Sequence, residues 1–243
     1  MLSKTTINKQ FNYAKADSLA VRISTKMREK MFAKFMSEIS PTEGEAVLDI
    51  GVTSDQSYSS SNYFEALYPH KHRITAAGID DAKFLEQTYP GIKFEFADIL
   101  NLPYLDHSFD IVHSSAVWEH VGSLGNQAKM LAECLRVARR AVFLTTPNRW
   151  HPVEFHTQLP LLHWFPKPIF RGILRLLGKD ELADEANLNL LTPREVRDLA
   201  ACHDAQWNLR ITNVYFPVIL GWPSNIIVMA ERKRLVDDAR SDN

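Results

Sequence analysis

Only two cysteines, Cys134 and Cys202, occur in the 243 residues. They stand far apart and outside any C-x-x-C pair, which argues against a disulfide framework and fits a reducing cytoplasm. Charge of one sign is also missing: 28 basic and 29 acidic residues leave a net charge of -1. No global positive field exists to hold a phosphate backbone, so nucleic acid is not favoured as a partner. No apolar run approaches the ~18 residues needed to span a bilayer. The opening MLSKTTINKQFNYAKADS has no apolar core of signal-peptide type, and the chain shows neither an internal repeat nor a low-complexity block. What is left is an ordinary globular mix, 45% hydrophobic and 23% charged, long enough for one large domain with a full core. A cytoplasmic protein is the expectation.

Glycine is scarce as well, nine in all, and the scarcity matters most in AVLDIGVTSDQS, residues 46–57. The stretch reads as a buried strand that stops at Gly51. A dinucleotide-binding turn would continue as G-x-G-x-x-G, its later glycines making room for a pyrophosphate. Here Thr53 and Asp55 take their place, and Asp55 would repel a phosphate. A nicotinamide-dependent oxidoreductase on such a sheet is therefore disfavoured. A ligand without phosphate would tolerate the same loop, since Gly51 still permits close approach to the backbone and a following helix would offer unpaired N–H groups.

The rest of the chain alternates between two periods. Ile23, Met27, Met31 and Phe35 recur every four residues, an amphipathic helix within an N-terminal helical arm over 1–40. Its Met and Phe stripe reads as core packing, with a lid over a ligand as the alternative. The serines of SSSNYFEALYP are placed to cap a short helix closed by Pro69. EAVLDIG, RITAAGID, IKFEFADI, FDIVHSSA and RAVFLTTPN read as strands, with NQAKMLAECLRVAR a helix between the last two. Strands alternating with helices predict an α/β fold, a doubly wound parallel sheet covered on both faces. Residues 148–190 form an insert without strand signal, rich in Trp, His, Pro and Leu. LTPREVRDLAACHD then reads as a helix with Thr192 as N-cap and Pro193 at the first helical position. Two further strands, WNLRITNVYFP and SNIIVMAERK, are close enough for an antiparallel pair. The tail, 232–243, is charged and expected to fray. All of this is one domain.

Such sheets bind ligands in the crevice at the carboxyl ends of their strands. The residues there are Asp49–Gly51, Asp80–Asp81, Asp98 and Ser114–Ser115. Asp80 or Asp81 can accept both hydroxyls of a ribose, and Asp98 can accept from an adenine amino group. Each alone is as easily a turn former or a helix cap; their order along the chain is what carries weight.

VLDIG, AGIDD, FADILNLPYLDHSFDIVHSSAVWEHV and LRVARRAVFLTTPN, taken together, resemble the successive motifs of the class I S-adenosylmethionine-dependent methyltransferases, of the type 11 kind. The likeness covers about 45–150, and DILNLP, SFDIV and EHV are its most distinctive parts. It implies a Rossmann-like, seven-stranded sheet with its last strand inserted antiparallel. It implies S-adenosylmethionine as cofactor. Asp49 and Gly51, with Thr53 in the loop beyond, would lie at its methionine end. Asp80, with Asp81 beside it, would hold the ribose, Asp98 and Ile99 would flank the adenine, and Ser114 and Ser115 would border the methionine and the substrate. The departure is the G-x-G-x-G stretch, which here keeps only Gly51 and is followed by a longer segment. A degenerate relative that binds without catalysing is the rival reading.

Methyl transfer needs alignment of an acceptor behind an electrophilic methyl, and a base only where the acceptor is a hydroxyl. Candidate bases are His120, His151 and His156, with Glu119, Glu154 and His163 nearby. A metal held by His151, Glu154 and His156 is conceivable by residue type, but the H-x-x-E-x-H spacing suits neither a helix face nor a strand face, so no metal is expected. His113 falls inside a strand and reads as structural. In 160–178 a basic amphipathic helix is a cap on its own domain, a homodimer contact or a peripheral membrane or lipid contact. Trp150, Trp164, Phe165 and Phe170 would give an acceptor pocket an apolar wall, suited to a small or lipid-like biosynthetic molecule methylated at O or N.

Overall fold

The computed structural model describes residues 19–56, 61–203, 206–215 and 222–233. The polar arm at 1–17, Ser59 and Ser60, and most of the charged tail lie outside the described residues. In chain order come helix α1 (Leu19–Ile39), strand β1 (Val47–Ile50), α2 (Tyr63–Leu67), β2 (Ile74–Gly78), α3 (Phe84–Thr88), β3 (Lys93–Phe96), β4 (Phe109–Ser115), α4 (Leu124–Val137), β5 (Ala138–Pro147), α5 (Lys167–Leu176), α6 (Asp180–Ala183), α7 (Pro193–Ala201), β6 (Trp207–Tyr215) and β7 (Pro223–Arg232). They build one seven-stranded sheet in the order β3-β2-β1-β4-β5-β7-β6. β1 to β5 pair in parallel, and β7 runs antiparallel to both β5 and β6. This is the expected Rossmann-like arrangement with an inserted antiparallel strand.

Strand side chains alternate between two cores, as the period of two requires. On one face Val47, Ile111 and Phe143 join Met27, Met31, Phe35 and Ile39 of α1, with Phe64 and Tyr68. On the other, Leu48, Val112 and Leu144 join Met130, Leu131, Cys134 and Leu135 of α4 and Val196 of α7. The every-fourth-residue stripe of α1 is thus buried against the sheet. Phe35 is 0% exposed, a burial worth about 1.5–3 kcal/mol.

α7 starts as its sequence predicts. The Thr192 hydroxyl accepts from the Glu195 N–H at 3.2 Å, and the Glu195 carboxylate accepts from the Thr192 N–H at 2.7 Å. This capping box satisfies two otherwise orphaned donors. Thr192→Ala should lower unfolding stability by about 1 kcal/mol; an unchanged urea midpoint would contradict the assignment. α2 starts differently from expectation. Its N-cap is Asn62, which makes no capping bond. The Asn62 amide is occupied elsewhere, accepting from Thr53 N and donating to Thr53 O, each at 3.0 Å. It pins the loop after Gly51 instead of the helix.

The insert folds back on itself. Phe170 and Leu174 of α5 bury with Leu182, Ala183, Leu188 and Leu190, whereas Ile169, Leu176 and Leu177 remain exposed. None of the helices is long and apolar enough to cross a membrane among the described residues.

Candidate functional site

A cleft of about 720 Å³ opens at the carboxyl ends of β1, β2 and β4. Parallel strands point their carboxyl ends at one edge, and helices on either side hold that edge apart. Four groups of residues line it. Gly51, Val52, Thr53 and Ile79 come from the ends of β1 and β2. Asp98, Ile99, Ser115, Ala116 and Val117 follow β3 and β4. Glu119, His120, Phe155, His156, Gln158 and Asn187 come from the turn after β4 and from the insert. The N-terminal half of α1 adds Ser24, Met27, Arg28 and Met31. The Met stripe therefore packs the core and walls the cleft at once.

Gly51 sits at φ +97°, where side chains are strained, and a Cβ there would lie 2.1 Å from Cγ2 of Val117. Its N–H donates to Ala77 O at 2.8 Å, so the turn closes over β2. Thr53 is buried, and its hydroxyl accepts from Asp55 N at 3.1 Å. Asp98 lies at the cleft, with one carboxylate oxygen accepting from Leu100 N at 2.9 Å. Ile99 is buried beside it. Asp80 follows Ile79 directly past the end of β2. Asp81 is exposed and accepts from Lys83 N at 3.0 Å, and neither Asp80 nor Asp81 is among the residues that line the cleft. Ser115 faces the cleft and shares a hydrogen bond of 2.8 Å with Thr145. Ser114 does not line it: its hydroxyl donates to Ile50 O at 2.7 Å inside the sheet, because neighbouring strand residues face opposite ways.

Asp49 also lies behind the cleft. It is 6% exposed and borders a small adjoining cavity with Arg28, Glu65 and His113. Its carboxyl meets His113 Nδ1 at 2.5 Å, and the His113 ring stacks on Phe64 at 4.0 Å between centroids. Burial pushes the Asp49 carboxyl up to about 7 and the His113 imidazole down to about 3. Glu65 beside them is 1% exposed, and its carboxyl faces that of Asp49. Burial first, and the charge of Asp49 next, hold its carboxyl well above the ordinary range. An acid with a raised folded pKa loses stability as pH climbs from its unfolded value through its folded one. Glu65→Gln should therefore gain on the wild type as pH rises from 5, by roughly 1.4 kcal/mol per unit of pH over which the folded carboxyl keeps a proton that the unfolded chain has given up. A difference between the denaturation curves that stays the same at every pH would contradict this.

The opposite end of the cleft is a corner of titratable groups. Among the described residues, one donor atom each from Glu119, His120 and His156 lies within 4.8 Å of the others. Each group is anchored from behind. His120 Nδ1 donates to Asn187 O at 2.6 Å. His156 Nδ1 meets Glu154 at 2.6 Å. Glu119 Oε2 accepts from the Thr146 hydroxyl at 2.9 Å, while Glu119 Oε1 has no hydrogen-bond partner among the described residues and stands 3.9 Å from His120 Nε2. Burial, then the charge of His156, hold His120 down at about 3. Burial works against the charged His156, yet the Glu154 carboxylate outweighs it and the ring is shifted up. Burial likewise opposes an ionised Glu154, but His156 and three hydrogen bonds pull its carboxyl down to about 2. Burial lifts Glu119 to about 7.

Two of the three expected histidines, His120 and His156, thus meet at the cleft. His151 does not: it is buried, its Nδ1 donates to Val153 O at 2.8 Å, and its ring stacks on Phe155. His163 is buried with Nε2 donating to His151 O at 2.7 Å. The local pattern of His151, Glu154 and His156 therefore splits, with Glu154 supporting His156 and His151 turned elsewhere. The expected aromatic wall is displaced too. Phe170 packs within the insert, and Trp164 stacks on Trp222 at 5.4 Å and approaches Trp150 at 6.4 Å. Neither these residues nor Phe165 lines the cleft, which takes its aromatic face from Phe155.

Residues 55–145 match the family model described as a methyltransferase domain. No curated protein sequence matches the chain. Among solved structures, the CurJ carbon methyltransferase aligns at 13% identity over 89% of this chain and 56% of its own, with a TM-score of 0.56. A Thermotoga maritima protein described as an S-adenosylmethionine-dependent methyltransferase, possible histamine N-methyltransferase, aligns at 14% over 88% of this chain and 92% of its own, with a TM-score of 0.54. The magnesium protoporphyrin IX methyltransferase of Synechocystis, solved with bound S-adenosylhomocysteine, aligns at 13% over 88% and 86%, with a TM-score of 0.53. At such identities the likeness to these structures is one of fold. Residues 55–145 thus match a methyltransferase domain, and the sheet order around them is that of the Rossmann-like methyltransferase fold.

Proposed function

We propose that the chain transfers a methyl group from S-adenosylmethionine to a small-molecule acceptor, at oxygen or nitrogen. The observation that carries the reading is the division of one cleft into two ends. One end has a glycine turn with Asp98 lining the cleft and Asp80 just past the end of β2, and the other has a corner of buried, anchored acid and imidazole groups. Asp80 would accept from the ribose hydroxyls, Asp98 and Ile99 would flank the adenine, and Gly51 would let the methionine portion lie against the backbone. The carboxylates suit a cofactor with a cationic sulfur and no phosphate. That cofactor supplies an electrophilic methyl when bound.

The chain's own part is to align the acceptor and exclude water. Met27, Met31 and Phe155 give the cleft apolar walls, while Glu119, His120 and His156 face the acceptor. With His120 held neutral by burial and His156 paired to Glu154, neither imidazole is a ready base at pH 7. Glu119, lifted to about 7, has the proton affinity to take a hydroxyl proton near neutrality. Calorimetry tests the reading: S-adenosylmethionine and S-adenosylhomocysteine should each bind with one site per chain, and NAD should give no heat. Heat from NAD alone would replace methyl transfer by hydride chemistry, and silence from all three would remove the enzyme reading.

A further inference from the structure

We propose that α5 and the tryptophan cluster beside it form a docking surface for an anionic lipid membrane, on which the chain lies without crossing it. Twelve large hydrophobic residues are exposed among the described residues, and seven of them fall in this one region. Trp150 and Trp222 are 42% and 41% exposed, and Leu176 reaches 88%. Leu161, Phe165, Ile169 and Leu177 complete the set. Surfaces of soluble proteins scatter such residues singly, so a concentration of them marks a binding face.

The face is assembled from separate stretches of chain. Three of the five tryptophans meet there. Trp164 stacks on Trp222 at 5.4 Å and meets Trp150 edge-on at 6.4 Å. The Arg149 guanidinium fixes the join, donating to His163 O at 3.1 Å and to Phe165 O at 2.8 Å. α5 begins two residues beyond Phe165 and carries two apolar stripes. Phe170 and Leu174 bury one of them within the insert. Ile169, Ile173 and Leu176, spaced four and three apart, form the other, and both its ends are exposed.

Charge says what covers this face. From Phe155 to Lys179 the chain has no acid, while Lys167, Arg171, Arg175 and Lys179 recur every four residues. Lys167 meets Glu195 at 3.1 Å and Arg171 meets Glu185 at 3.2 Å, whereas Arg175 is exposed next to Leu176. The acids that follow, Asp180 and Glu181, belong to α6, which packs on the buried stripe through Leu182 and Ala183. Two copies joined here about a two-fold axis would bring like charges together, but an anionic headgroup layer attracts them. Tryptophan, with an apolar body and a polar N–H, suits the boundary between headgroups and acyl chains. A basic helix with an apolar side lies in the same layer, its arginines reaching up to the headgroups.

Docking stands apart from the methyl-transfer reading; only its consequence for the acceptor rests on that reading. Pro147 and Asn225 line the cleft three residues from Trp150 and Trp222, and the insert lends it Phe155 and His156. A docked chain therefore meets acceptors held in the membrane, and a lipid-like acceptor becomes the favoured class.

Flotation without cofactor tests the docking, with vesicles of phosphatidylcholine alone and of phosphatidylcholine mixed with phosphatidylglycerol. The wild type should float with the mixed vesicles and bind the neutral ones about tenfold less tightly. Brominated acyl chains should quench its fluorescence as Trp150 and Trp222 enter the boundary. Leu176→Glu should weaken binding to mixed vesicles by more than about tenfold with an unchanged melting curve, because the side chain it replaces is exposed. Arg175→Gln should weaken binding to mixed vesicles by about fivefold and leave binding to neutral ones unchanged. A wild type that fails to float, or that floats no better than Leu176→Glu, overturns the proposal. A dimer in sedimentation velocity that Leu176→Glu abolishes, without flotation, gives the face to a second copy and overturns it equally. S-adenosylhomocysteine calorimetry on the same samples separates the two readings: flotation without cofactor heat removes methyl transfer alone, and cofactor heat without flotation removes the membrane alone.

Discussion

Gly51→Val is expected to weaken S-adenosylhomocysteine binding by more than 100-fold while the chain still folds. Two features of one residue combine. At φ +97° a side chain is strained, and its Cβ would stand 2.1 Å from Val117 Cγ2. The strain costs about 1–3 kcal/mol, which in a domain of this size lowers the melting temperature by about 2–4 °C per kcal/mol. The effect on binding is larger, because Gly51 and Val117 line the same cleft. Relief of the overlap drives one or both side chains into the space where the methionine portion would approach the backbone. Calorimetry and a melting curve on the same sample separate the two effects. Tight binding by Gly51→Val would place the ligand elsewhere.

The second expectation concerns Asp80→Ala, with a loss in cofactor affinity of about 1–3 kcal/mol, a factor of 5 to 150. The ribose hydroxyls would lose a charged acceptor and regain only water. Asp81→Ala serves as the comparison. Its carboxylate holds Lys83 N, so its loss should change the turn and leave cofactor affinity within about twofold. Equal losses in the two variants would contradict the choice of Asp80.

The half of the site built by the sheet was legible in the sequence. Short apolar runs that stop at glycine, proline or an acid mark strand ends, and a parallel sheet brings those ends to one edge whatever the loops do. Gly51, Asp98, Ile99 and Ser115 reach the cleft for that reason. Of the pair Ser114 and Ser115 expected there, Ser115 lines the cleft and Ser114 turns into the sheet. The other half was not legible, because contact across 27 to 67 residues leaves no local period. Thr146 reaches back to Glu119, and Asn187 to His120, through an insert whose path no motif announces. The misplaced aromatic wall has a similar cause. Amphipathic periodicity in 169–177 marks a face to be buried but not what it meets, and Phe170 and Leu174 meet the insert's own leucines.

A crystal structure with S-adenosylhomocysteine tests the central claim most directly. The account predicts the ribose against Asp80, the adenine between Asp98 and Ile99, and the sulfur side of the ligand between Gly51 and the corner of Glu119, His120 and His156. Density for the ligand anywhere else, or a cleft edge at Gly51 and Asp80 that stays empty at saturating ligand, would contradict it.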